Sequence, residues 1–235
     1  MTAGAGGVDA YATIEELAAA FGLEEAQAAA LSRYADLMLA WRRGNVTALR
    51  TREAIVSTLF GDALALLDVP QLRERSGAGW LDLGAGAGVP GIPLAVALPA
   101  AELTLLDAAT RKCAFLEEAA EAAGLGLRAA VVCARSELHA AIGQPGREGY
   151  RVVLARAVAP LPALVELAAP LLAPGGVLLA SKTGRARRSA VPIAPRRRRV
   201  RRLREGRGHA GASAAAGGPG RQATAGPLSR RRPIC

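Results

Sequence analysis

A chain of 235 residues with 51% hydrophobic residues is long enough to bury a full core, which excludes wholesale disorder and leaves one domain with an appendage as the expected organisation. Its formal charge of +10 is uneven: residues 1–181 carry 14 Lys and Arg against 19 Asp and Glu, whereas residues 182–235 carry 16 against one. The body is mildly acidic, so any nucleic-acid reading of the charge belongs to the C-terminal stretch alone.

The first nine residues lack a basic segment followed by an apolar one, so no secretory signal is expected and the cytoplasm is the expected compartment. The most apolar run, residues 161–180, contains Glu166, Pro162, Pro170 and Pro174. It reads as a helix plus a strand of a globular core, and no membrane association is expected. Cys113, Cys133 and Cys235 have no metal-ligand spacing. Cys113 and Cys133 are expected to pack as small apolar residues in a reducing compartment.

Thr13-Ile-Glu-Glu16 is a capping box that opens a helical region reaching Trp41, broken near Gly22. Leu31, Tyr34, Leu37, Met38 and Trp41 recur at spacings of three and four and make one apolar face. A second helix over 52–67 carries Ile55, Leu59, Asp62, Ala63 and Leu66 along one side. Residues 1–75 therefore read as a helical N-terminal extension. From Trp80 the pattern changes to strands at 80–83, 102–106, 128–133, 151–154 and 177–180, with helices at 92–98, 110–123 and 161–172 between them. Thr110 is the expected cap of the second of these helices. The alternation predicts an α/β domain, residues 76–184, with a parallel sheet covered by helices on both faces. Residues 185–235 are Arg, Ala, Gly and Pro without periodicity, which predicts a disordered basic tail.

The first strand runs into glycines at 84, 86, 88 and 91. A strand ending in closely spaced glycines before a helix admits a ligand against the backbone, as at nucleotide sites. Gly84-x-Gly86-x-Gly88 lacks the second gap of the dinucleotide fingerprint, although Gly86-x-Gly88-x-x-Gly91 supplies it, so a nicotinamide-dependent oxidoreductase stays open. No Gly-Lys-Ser/Thr follows, which excludes a P-loop. Asp82 within the first strand and Asp107 at the tip of the second suit a ligand with a ribose and a charged amino-acid part, Asp107 accepting from ribose hydroxyls. Ser136 and Glu137 follow the third strand, and Arg156 follows the fourth between two apolar runs, where an isolated charge is costly without a partner. All three face the edge at which open parallel sheets bind ligands. His139 lies in a polar connecting loop on this reading and is not a catalytic candidate.

The stretches Leu81-Asp-Leu-Gly84-Ala-Gly-Ala-Gly-Val-Pro-Gly-Ile-Pro93, Thr104-Leu-Leu-Asp107, Arg111-Lys-Cys-Ala-Phe-Leu116 and Ala155-Arg-Ala-Val-Ala-Pro160 resemble the bacterial 16S ribosomal RNA guanine-N7 methyltransferase family, also called the glucose-inhibited division protein B family. The likeness runs from about Leu37 to Gly184. It implies a Rossmann-like class I methyltransferase sheet, S-adenosylmethionine as cofactor, and 16S ribosomal RNA or the small ribosomal subunit as partner of a monomeric rRNA-processing enzyme. Carried over by position, cofactor contacts fall at Gly84, Val89, Ser136, Glu137 and Arg156; the glycine turn adds Gly86, the general logic of the fold puts Asp107 on the ribose, and Arg156 and Lys182 are expected to position the base or its backbone phosphates. Trp41, Asn45, Thr47 and Asp62 also match the family's helical part. Guanine N7 carries a lone pair and no proton, so no catalytic residue in the sense of a base or nucleophile is expected.

Two departures qualify the likeness. Thr58-Leu59 stands where the family usually shows Arg-His. Beyond the fifth strand the family continues with a helix and two strands, and the residues after Gly184 do not resemble them; their composition reads as a GC-rich gene translated out of frame. On that account the fifth strand presents an open sheet edge and the domain is incomplete. The rival reading is a non-catalytic RNA-binding protein with a degenerate methyltransferase domain, gripping phosphates through Arg196–Arg199, Arg201, Arg202 and Arg230–Arg232.

Overall fold

The computed structural model describes residues 11–77, 79–181 and the backbone of 189–192. Lys182 and the basic tail beyond residue 192 lie outside the described residues. The chain opens with α1 (Ile14–Phe21) and α2 (Glu25–Ala40). Thr13 Oγ1 accepts from the Glu16 N–H at 3.2 Å, and Glu16 Oε2 in return accepts from the Ala12 N–H at 2.8 Å. Gly22, left-handed at φ 65°, closes α1. Helical segments follow from α3 (Arg52–Ala54) through a π-helical segment (Ile55–Phe60), α4 (Gly61–Leu64) and a 3-10 turn (Ala65–Asp68), then, after the extended Val69, α5 (Pro70–Arg73). The π-helical turn delays the register after Ile55, a device frequent near functional sites.

The sheet comprises β1 (Gly79–Leu83), β2 (Glu102–Asp107), β3 (Ala129–Cys133), β4 (Tyr150–Arg156), β5 (Leu172–Ser181) and β6 (Ser189–Pro192). Their order is β3-β2-β1-β4-β5-β6. β1 to β5 pair in parallel and β6 runs antiparallel to β5. β6 corrects the expectation of an open edge on the fifth strand. Leu178 pairs with Val191 and Leu179 with Ala190, so β5 is hydrogen-bonded on both sides. Helices α6 (Gly91–Ala97), α7 (Thr110–Ala122), α8 (Ser136–His139) and α9 (Leu161–Ala168) connect the strands.

Strand periodicity sorts the core into two layers. Trp80, Leu103, Leu105, Val152, Leu154, Val177 and Leu179 point to one face, where they share a core with α6, α7 and the N-terminal helices. Leu81, Leu83, Leu106, Val153, Ala155 and Leu178 point to the other, under α9. The helical extension is thus part of the main core: Leu17, Leu31 and Tyr34 are fully buried within it. Chain order reverses direction across the sheet between β1 and β4, and the carboxyl ends of these strands form the crevice in which such sheets bind ligands.

Two local expectations are corrected. Thr110 does not cap α7: it is the helix's first residue, and the cap position is Ala109, whose N–H donates to Asp107 Oδ1 at 2.9 Å. His139 is buried rather than in a polar loop, at 2.7 Å from the Tyr150 hydroxyl through Nε2, and burial lowers its pKa.

Candidate functional site

The apolar strand β1 carries the chain to Leu83 inside the sheet and releases it into the glycine turn. Gly84 adopts φ 66°, and a Cβ there would lie 3.0 Å from Val158 Cγ2, so both backbone and neighbour exclude a side chain. The turn ends at Gly91, where a Cβ would lie 2.7 Å from Asp82 Oδ2. That approach is what allows the Gly91 N–H to donate to Asp82 Oδ2 at 2.8 Å. The Val89–Pro90 peptide is cis.

Asp107, at the tip of β2, ties the turn to the neighbouring strand. Its Oδ2 accepts from the Gly86 N–H and its Oδ1 from the Ala109 N–H, both at 2.9 Å. Lys112 Nζ stands 3.7 Å from Oδ2. A carboxylate has about four lone-pair positions, so two remain for a ligand.

On the other side of the crevice the chain leaves β4 through Arg156 and then Ala157, a non-glycine residue in the left-handed region at φ 55°. The Arg156 side chain is only 9% exposed. Its Nη2 lies 3.6 Å from Asp62 Oδ2, beyond hydrogen-bonding length, and neither Nη1 nor Nη2 has a hydrogen-bond partner among the described residues. Burial works against its charge, while Asp62, Asp82 and Tyr34 support it.

Gly84, Ala85, Gly86, Ala87, Val89, Asp107, Lys112, Arg156, Ala157 and Val158 line one cavity of about 420 Å³, closed on its third side by Val46, Thr47 and Leu59. That size suits a small-molecule ligand. Of the residues singled out from sequence, Gly84, Gly86, Val89, Asp107 and Arg156 meet here. Ser136 and Glu137 begin α8 and do not line the cavity; Ser136 Oγ donates to Glu137 Oε2 at 3.1 Å. Asp82 lies beneath the turn, 1% exposed, and burial raises its pKa to about 7 against the Gly91 hydrogen bond and Arg156.

Sequence reasoning placed Tyr34 in the core but missed its polar role. Its buried hydroxyl donates to Ala87 O in the middle of the turn, while its ring stacks on Phe60 at 5.2 Å. Burial, with the nearby Asp82 charge, holds this phenol well above its ordinary pKa, so it remains a donor. Lys112 was also missed as a cavity residue, although it sits in the Arg111-Lys-Cys motif. A further correction concerns Cys113 and Cys133, which are joined in a disulfide rather than packed as free thiols.

A glycine-lined cavity with a half-satisfied carboxylate on one wall and an unsatisfied guanidinium on the other is built for a ligand with hydroxyls and an anionic group. The model of the GidB family, described as rRNA small subunit methyltransferase G, matches residues 27–193. The chain belongs to this family. It is 40% identical over 172 residues to ribosomal RNA small subunit methyltransferase G of Stenotrophomonas maltophilia (strain K279a), covering 73% of this chain and 76% of that protein. It is 37% identical over 163 residues to the same-named protein of Alkaliphilus oremlandii, covering 68% and 66%. Among solved structures, a methyltransferase from Thiobacillus denitrificans in complex with S-adenosyl-L-homocysteine aligns at 22% identity and TM-score 0.41, over 51% of this chain and 47% of that one.

The family makes the chain a methyltransferase whose cofactor is S-adenosylmethionine. The residues present fit that group. The bare turn at Gly84 leaves room for close approach, Asp107 retains acceptor capacity, and the terminal nitrogens of Arg156, without a hydrogen-bond acceptor among the described residues, can donate to a carboxylate. Among the described residues no helix is long and apolar enough to cross a membrane, and no group of acidic, His or Cys side chains could hold a metal ion.

Proposed function

We propose that this chain methylates N7 of a guanine in 16S ribosomal RNA, free or within the small ribosomal subunit, and does so as a cytoplasmic monomer. The observation that carries this reading is the buried guanidinium of Arg156 at the wall of a glycine-lined cavity, near the Asp62 carboxylate but without a hydrogen-bond partner for its terminal nitrogens among the described residues. A buried charge in that condition is costly unless a ligand completes it.

S-adenosylmethionine, when bound, supplies an electrophilic methyl carbon on a sulfonium sulfur. The chain's own residues hold and orient. Asp107 offers its remaining lone pairs to ribose hydroxyls, and Gly84 and Gly86 bring backbone close to the ligand. Arg156 would hold the amino-acid carboxylate of the bound cofactor. Val46, Leu59, Val89 and Val158 give the cavity an apolar wall that excludes water. The acceptor already carries its lone pair, so no proton has to be removed. This agrees with a lining whose titratable side chains are Asp107, Lys112 and Arg156, with no His or Cys among them. Catalysis then rests on alignment and desolvation. Lys112 lines the cavity, 44% exposed and 3.7 Å from Asp107 Oδ2, and on this reading it meets an RNA phosphate. The major groove of an RNA duplex hides N7, so the acceptor is a guanine in a loop or one exposed before assembly is complete.

Transfer of tritiated methyl from S-adenosylmethionine to small-subunit RNA tests the reading, with Gly84→Asp and Arg156→Ala as controls. Incorporation by the intact chain, abolished by Gly84→Asp through loss of cofactor binding, is expected. Cofactor binding without incorporation into any small-subunit substrate would overturn it.

A further inference from the structure

Cys113 and Cys133 both lie against Asp107. Cys133 is the last residue of β3 and the register partner of Asp107, the last residue of β2. Cys113 sits in the first turns of α7, where its N–H donates to Ala109 O at 3.0 Å and its Sγ lies 3.4 Å from Asp107 O. The Asp107 carbonyl also accepts from the Ala134 N–H at 3.1 Å, immediately after Cys133. The bridge therefore fastens the end of β3 to the start of α7, beside residues 107–109, which lead from β2 into α7. That short segment supplies the carboxylate that accepts from the Gly86 N–H of the glycine turn, and the Ala109 N–H that steadies the carboxylate.

The two cysteines are unequal. Cys113 is 4% exposed, whereas Cys133 is exposed on an edge strand. Their Cα atoms are 5.8 Å apart, within the range a disulfide spans without backbone movement. An exposed thiol beside a buried one at bonding reach is the arrangement of an attacking and a resolving cysteine. In proteins of reducing compartments such pairs are more often redox-responsive than permanent.

We propose that Cys113 and Cys133 form a redox modification site for low-molecular-weight disulfides, and that its state sets the affinity of the cofactor cavity. This rests on the reading of that cavity as the S-adenosylmethionine site. The Cys133 thiolate attacks a small disulfide, forming a mixed disulfide and releasing one thiolate. The Cys113 thiolate then attacks Cys133 Sγ, forming the internal bridge and releasing the second thiolate. Both cysteine protons end on the two released thiols, so two protein thiols are oxidised and one small disulfide is reduced. In the bridged state the 107–109 segment is fixed as the structure shows it. Reduction frees α7 from β3 and lets Asp107 move relative to the Gly86 N–H, which weakens ligand binding.

The test uses the full chain carrying Cys235→Ser, so that only the pair reports. It is incubated with glutathione disulfide or with dithiothreitol and titrated calorimetrically with S-adenosylhomocysteine. Oxidation should remove two free thiols without leaving a glutathione adduct. The reduced form should bind the ligand roughly fivefold to tenfold more weakly and melt about 6–12 °C lower, as expected for opening a loop of this length. Cys133→Ser should retain the weaker affinity under both conditions. Equal affinities for the oxidised and reduced forms, a persistent glutathione adduct on Cys133, or failure to lose both thiols would overturn the proposal. Thiol loss with no S-adenosylhomocysteine binding in either state would instead sink the cofactor-site reading and, with it, the link between the pair and the cavity.

Discussion

The two walls of the cavity are built on opposite principles. On the β1–β2 side the polar groups are satisfied within the protein: Asp82 takes the Gly91 N–H, Asp107 takes the Gly86 and Ala109 N–H groups, and Tyr34 donates to Ala87 O. On the β4 side Arg156 is almost as buried, yet neither terminal nitrogen has a hydrogen-bond partner among the described residues, and the next residue is strained. The first wall is held in shape before any ligand arrives, with only lone pairs of Asp107 left over for it, and its order is an expense met in folding. The second is completed only by the ligand. A mutation in the first wall should therefore harm stability and binding together, whereas one in the second should separate them.

Arg156→Ala is the sharpest way to break this contrast and should have the largest effect on function. Losing a charge-assisted contact of about 3 kcal/mol should lower kcat/KM roughly 100-fold. Stability should fall only slightly, because no hydrogen bond among the described residues is lost and the carboxylates left without the cation are Asp62, 25% exposed, and Asp82, which can take up a proton. Calorimetry of the unliganded variant checks this, and a large drop in Tm alongside the lost activity would show that the β4 wall is as finished as the other. Asp107→Asn should give the opposite signature. An amide has a single acceptor oxygen, so the Gly86 or Ala109 N–H loses its partner at about 1–3 kcal/mol. Cofactor affinity should fall on the order of tenfold and Tm should fall with it, measured by titration and by melting of the same preparation.

Tyr34→Phe probes the finished wall from behind. The ring and its stack on Phe60 remain, and only the donor to Ala87 O is lost. A neutral hydrogen bond of about 1 kcal/mol predicts a threefold to fivefold weaker cofactor and a small loss of stability. Binding unchanged within error would mean that the glycine turn is held from β1 and β2 alone.

How far these walls were legible in the sequence follows from how local their causes are. The glycine turn could be read directly, because an apolar run passing into closely spaced glycines has few other meanings. Asp107 and Arg156 could be read because each is a polar residue at the end of an apolar strand. Tyr34 could not, since its hydroxyl partner is 53 positions away and helical spacing describes only its ring. The Cys113–Cys133 pair was hidden for the same reason: 20 residues and a strand crossing separate two residues that look like ordinary core. Thr110 misled because capping propensity is local, whereas the group that takes the Ala109 N–H is Asp107, at the end of the preceding strand. β6 escaped because four residues beside an arginine-rich stretch carry no usable period; their pairing with β5 is tertiary. The family match extends to residue 193 and takes in this strand.

Asp82 offers the finest test of the finished wall and should have the smallest effect on function. Its folded pKa of about 7 lies above the ordinary value of 3.8, because burial outweighs the Gly91 hydrogen bond and Arg156. The protonated form is favoured by folding, so the associated stability is fully present below about pH 4. It is lost as pH rises through about 7, since over that range the native state binds a proton that the unfolded chain has released. The slope is at most about 1.4 kcal/mol per pH unit for one proton. Asp82→Asn keeps an oxygen for the Gly91 N–H and cannot ionise, so its stability should be flat where that of the parent falls. The two proteins should melt within a few degrees of each other at pH 5, and the variant should melt higher at pH 8. Cofactor affinity should differ by less than twofold, because Asp82 does not line the cavity. Parallel pH profiles for the two proteins would mean that Arg156 and the Gly91 N–H keep Asp82 ionised throughout, and that the first wall carries a buried ion pair as well as hydrogen bonds.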